Sequence, residues 1–153
     1  MFVMTARVHK KKILLIGAAA LALIAIVIAL FSGGAQPTSA SGNVTGNDDR
    51  LQFLAAFGWE VAVSPVESGQ VRVPEGSSQV FDRYNELQKT MGYDLSEYAG
   101  KTVMRYVYQV KNYPGATAEV FATLLISNNQ IIGGDITDTS ANGKVQGFAK
   151  PEG

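Results

Sequence analysis

The sequence predicts an α+β protein: an N-terminal transmembrane helix, then a two-layer domain whose antiparallel sheet, with a C-terminal four-stranded meander, packs on one or two helices. Three observations predict it. An apolar run of 19 residues, 13–31, directly follows a basic cluster. Two later segments repeat apolar residues at helical spacing. The last third alternates apolar and polar residues between turn signals.

The N-terminal elements come from charge and length. Arg7, Lys10, Lys11 and Lys12 precede the apolar run with no acid among them. Residues 1–12 therefore read as a cytoplasmic basic segment. As a helix, residues 13–31 rise about 28 Å, close to the hydrocarbon thickness of roughly 30 Å. The next basic residue is Arg50, so the positive-inside rule leaves the N-terminus in the cytoplasm and the rest outside. Gly33-Gly34-Ala35 offers a cleavage site, and cleavage would make the domain secreted. Residues 32–47 are small and polar and read as a flexible linker.

The folded domain is expected over residues 48–150. Asn47 can cap a helix that carries Asp48 and Asp49 in its first turn. Leu51, Leu54 and Phe57 share one face, and Gly58 stops it. Residues 59–63 alternate and read as a strand, as do residues 70–73, which Pro74 ends. A second helix over residues 78–91 takes Ser78 as its cap. It sets Val80, Tyr84, Leu87 and Met91 on one side, with Phe81 and Gln88 beside them, and Gly92 closes it. Residues 93–100 form an irregular connection.

Four strands follow, over residues 102–113, 117–127, 130–137 and 144–148. Pro114-Gly115, Asn128-Asn129 and Asn142-Gly143 supply the turns, the last being the strongest hairpin signal because both residues tolerate positive φ. In the first of these strands Met104, Tyr106, Tyr108 and Val110 share a core-facing side. Val103, Arg105, Val107 and Gln109 share the other, which could carry a groove. The order is α-β-β-α-β-β-β-β.

Several local motifs lie in a familiar order: Phe57-Gly58-Trp59-Glu60-Val61, Tyr84-Asn85-Glu86-Leu87-Gln88-Lys89, Gly92-Tyr93-Asp94-Leu95, Tyr98-Ala99-Gly100-Lys101, Arg105-Tyr106-Val107-Tyr108, Asn112-Tyr113-Pro114 and Gly133-Gly134-Asp135. On these motifs the chain resembles a family of membrane-tethered bacterial proteins, domain of unknown function 4830, found mainly in Firmicutes. The resemblance covers most of residues 51–148 and departs from the family's ending after Asp135. It implies an extracytoplasmic, Gram-positive bacterial domain and implies no activity.

Composition narrows the chemistry. The chain has no Cys, and its single His, His9, lies in the basic segment. The outer domain therefore lacks a Ser-His-Asp triad, a Cys nucleophile and zinc ligands of the usual kind. Beyond the basic cluster the chain carries 9 basic and 13 acidic residues, which disfavours nucleic acid as a partner. Gly133-Gly134-Asp135 reads as glycines at a bulge or close approach. No metal site, cofactor or catalytic residue is assigned.

The expected function is a membrane-anchored extracytoplasmic binding or protein-interaction domain without catalysis. Its partners would be the membrane, through the single-pass anchor, and an envelope protein or small ligand. A carboxylate-dependent cell-envelope hydrolase and an accessory or inhibitory domain of a membrane partner are the alternatives. Asn85, Arg105, Asn112 and Asp135 are the candidate ligand-binding residues, because they are polar positions within the family-like motifs.

Overall fold

A computed structural model describes residues 43–152. The expected transmembrane segment, 13–31, lies outside them. Among the described residues no helix is long and apolar enough to cross a membrane.

The elements are α1 (Asn47–Ala56), β1 (Glu67–Arg72), α2 (Gln79–Thr90), a 3₁₀ turn (Leu95–Tyr98), β2 (Thr102–Val110), β3 (Val120–Ser127), β4 (Gln130–Asp138) and β5 (Val145–Gln146). The fold is α+β, as expected, with one five-stranded antiparallel sheet in the order β1-β2-β3-β4-β5. The expected C-terminal meander is β2 through β5.

Local chemistry explains the helix ends. Ser78 caps α2 by accepting from the Phe81 N–H at 3.1 Å, and Asp82 and Lys89 complement the helix dipole at its two ends. The cap of α1 is Gly46 and not Asn47. There the Asp49 carboxylate reaches back to the Gly46 and Thr45 N–H groups, at 3.0 and 2.8 Å. Gly58 and Gly92, both at φ +85°, end the two helices. Ordered packing also begins before Asp48. Val44 is buried and its N–H donates to the Asn129 carbonyl at 2.7 Å.

Three further expectations need correction. The strand over residues 59–63 shrinks to one bridge, Val61 with Val110, because Pro65 soon follows and has no N–H to extend a ladder. The turn before β5 does not use Asn142-Gly143 at positive φ. Instead the Ser140 carbonyl accepts from the Gly143 N–H, and Asp138 pairs its N–H with the Lys144 carbonyl across a longer loop.

The third correction concerns layers. The helices do not share a side of the sheet; each covers a different face. Phe53 and Leu54 of α1 pack with Tyr108, Val110, Ala122, Leu124, Ile136 and Phe148. Phe81, Tyr84 and Leu87 of α2 pack with Val103, Leu125, Ile132 and Val145. Tyr108 lies opposite Ala122, and Arg105 opposite Leu125, so strand alternation sends these residues to opposite faces. A sheet buried on both sides needs apolar side chains on both sides. β3 supplies them, with every residue but Ser127 buried.

Candidate functional site

Polar residues of the α2 face form a buried seam across the sheet. Asp135 on β4 is completely buried. Its Oδ2 accepts from the Tyr84 hydroxyl at 2.7 Å, and its Oδ1 from the Thr137 hydroxyl at 2.6 Å. Burial raises its pKa, while both hydroxyls and the Arg105 charge pull it back. Burial also pushes the Tyr84 phenol well above its ordinary range, and Asp135 adds to that shift. On β2, Arg105 Nη1 donates to Glu67 Oε1 at 2.7 Å. Arg105 Nη2, Glu67 Oε2 and Thr123 Oγ1 are buried without a protein partner.

Gln88 joins α2 to the same face. Its Nε2 donates to the Gly134 carbonyl at 2.9 Å and its Oε1 accepts from the Gly134 N–H at 2.8 Å. A helix side chain thus serves both backbone groups of one strand residue, beside the register shift at Leu125/Ile126. The expected reason for Gly133-Gly134 holds. A Cβ on Gly133 would lie 2.7 Å from Gln88 Oε1, and one on Gly134 would lie 2.1 Å from the Thr123 carbonyl oxygen.

Of the four candidate binding residues, Arg105 and Asp135 lie on one face of the sheet, within reach of each other's charge. Asn85 sits on α2. Its Oδ1 accepts from the Leu95 N–H at 2.7 Å and its Nδ2 donates to Asp94 at 2.9 Å, so it organises the 3₁₀ turn. Asn112 is elsewhere, bonding the Glu60 N–H at 2.9 Å and the Gly58 carbonyl at 2.9 Å. Both amides are engaged with the protein's own chain. Among the described residues no group of three or more Asp, Glu or His is placed to hold a metal ion.

The opposite face is more open. On β1, Ser68, Gln70 and Arg72 are exposed, and their partners Met104 and Tyr106 on β2 are half-buried. Val63, 76% exposed, lies just before β1. This strip also includes Arg50 and Asn47 of α1, around the Tyr108 hydroxyl. Arg50 was not anticipated from the sequence. The available signal was its spacing: Asn47, Arg50 and Leu54 fall at i, i+3 and i+7, one side of a helix whose apolar positions face the sheet.

The motifs assembled into this fold decide the family. A family model described as Domain of unknown function (DUF4830) matches residues 53–136. The chain belongs to that family. The DUF4830 match runs from the second half of α1 into β4. It ends beside Asp135 and leaves β5 outside. The buried seam from Glu67 to Asp135 lies within the DUF4830 match, with Thr137 just past its end, whereas Asn47 and Arg50 precede it. No curated protein and no solved structure matches the chain.

Proposed function

We propose that this chain is a single-pass membrane protein that displays its DUF4830 domain outside the cytoplasm as a non-catalytic binding or interaction module. The basic cluster and the apolar run support the anchor and its direction. The observation that carries the binding reading is the half-open strip on the α1 face. α1 covers the middle of the sheet but leaves β1 and the start of β2 with exposed polar side chains beside half-buried Met104 and Tyr106. The α2 face is closed by a helix, and Tyr84, Asp135, Thr137 and Gln88 there bond within the protein, which supports a structural role for it.

The natural absence of Cys makes the test direct. Gln70→Cys and Ala6→Cys variants are exposed in intact cells to a membrane-impermeant maleimide. Position 70 should label and position 6 should label only after lysis; the reverse pattern would exclude the topology. A maleimide photocrosslinker at Gln70→Cys should then capture a partner more efficiently than one at Glu86→Cys, an exposed position on α2. Equal capture at both positions would exclude the strip as the binding surface.

A further inference from the structure

The strip holds one cation under unusual restraint. The Arg50 Cζ lies 3.8 Å from the centroid of the Tyr106 ring. Its Nε donates to the Tyr108 hydroxyl at 2.7 Å. That hydroxyl donates onward to Asn47 Oδ1 at 2.8 Å, and Asn47 Nδ2 donates to the Val63 carbonyl at 2.7 Å. The ring contact and the Nε bond hold the guanidinium at two points. Neither terminal amino group has a hydrogen-bond or ion-pair partner among the described residues. Arg50 is half-buried, and among the described residues neither of its terminal nitrogens is a buried atom without a partner. Arg72 and Arg105 differ, since one terminal nitrogen of each pairs with a carboxylate, that of Glu75 or Glu67.

A guanidinium with a free Nη edge offers donors in a fork that matches two oxygens of a carboxylate or phosphate. Because Arg50 is already held in place, little side-chain freedom remains to be lost on binding. The nearest acid in sequence, Asp49, feels the Arg50 charge, but its Oδ2 accepts from Thr45 and Gly46 at the helix entrance and forms no ion pair with Arg50. Ser68, opposite Tyr106 on β1, adds an exposed hydroxyl, and Val63 adds an exposed apolar surface.

We propose that Arg50, clamped on Tyr106 and Tyr108, is an oxyanion-recognition group that reads a carboxylate or phosphate on the ligand of the β1–β2 strip. The assignment rests on the reading of that strip as the binding surface. The test uses the full chain, ¹⁵N-labelled, in neutral detergent micelles. Sodium acetate and inorganic phosphate are titrated at constant ionic strength, which separates a site from general screening. The Arg50 Nε–H resonance and the backbone amides at positions 68 and 106 should shift saturably, and these two amides report binding in the variants as well. Saturation by acetate at the lower concentration assigns a carboxylate; the opposite order assigns a phosphate. Arg50→Lys keeps the charge but loses the fork, and should bind at least tenfold more weakly. Tyr106→Leu keeps Arg50 but removes its platform, and should also weaken binding. Unchanged Trp59 fluorescence shows that each variant is folded. No saturable shift with either anion, or undiminished binding by Arg50→Lys, overturns the assignment. Position-selective crosslinking at residue 70 by a chain that binds neither anion removes the Arg50 role alone. Equal crosslinking at positions 70 and 86 by a chain that binds them removes the strip as a partner surface alone.

Discussion

At the scale of single residues, two carboxylates respond to pH with opposite signs. Asp94 accepts from the Ser96 hydroxyl, from Asn85 Nδ2 and from the Ser96 N–H, which together lower its pKa to about 2. Its contribution is complete above the ordinary carboxylate range and is lost as pH falls toward that value. Asp135 is raised by burial. Its contribution is complete below the ordinary carboxylate range and is lost as pH rises through the raised value. Asp135→Asn removes this loss, so its urea midpoint relative to the natural chain should rise from pH 4 to pH 8. Asp94→Asn should show its deficit at neutral pH and lose it in acid. Denaturation at several pH values separates the two. Glycine provides a second contrast. Gly134 has φ +156° and no room for a Cβ, whereas Gly69 has nothing within 4 Å of that position. Gly134→Ala should cost about 3 kcal/mol, and Gly69→Ala within about 0.5 kcal/mol of zero.

At the scale of elements, α2 shows how a helix can be docked by polar as well as apolar groups. Leu87 and Phe81 supply buried area, about 2 kcal/mol each by transfer from water. Gln88 and Tyr84 specify position, because each meets one defined residue on β4, Gly134 or Asp135. Gln88→Leu preserves volume but leaves the Gly134 N–H and carbonyl buried without a partner. It should cost about 3 kcal/mol and speed hydrogen exchange across Gln79–Thr90. If α2 amides exchange as slowly as before, the Gln88 pair is not what holds the helix in register. Helix α1 combines the Asn47 and Arg50 bonds with buried Phe53 and Leu54, which pack with Trp59 and Phe148.

At the scale of the whole molecule, one sheet is shared by two cores. Leu54 faces one and Leu87 the other, and β2, β3 and β4 carry residues of both. Sharing the sheet predicts a single cooperative transition. The chain has one Trp, and Trp59 reports the α1 core through its buried ring and its bond to the Phe148 carbonyl at 2.7 Å. Leu87→Ala, on the far face, should cost about 2–5 kcal/mol. It should lower the Trp59 fluorescence midpoint and the far-ultraviolet dichroism midpoint equally. A dichroism midpoint that moves while fluorescence stays would show that the two faces unfold separately.

Much of the fold was legible because local chemistry carried it. Ser78, Gly58 and Gly92 marked helix ends by their own capping chemistry, alternation marked β2, and Asn128-Asn129 marked a turn whose residues sit at φ 49° and 60°. The need for glycine at Gly133-Gly134 was legible as well. Other features depended on contacts between residues distant in sequence. Periodicity says that a helix has an apolar side, but it does not say which face of a sheet receives that side, so two layers were expected where each face has its own helix. Asn85 and Asn112 looked available for a ligand because sequence does not show the backbone groups 10 and 52–54 residues away that they bond. Arg50 gained its setting only when α1 crossed Tyr106 and Tyr108, more than 50 residues later. The sequence by itself determined the two helices, the strands β2 to β4 and the family, because caps, turns and alternation act between near neighbours. The tertiary structure alone decided which polar groups are used up inside the fold and which face outward, because that depends on what packing brings together.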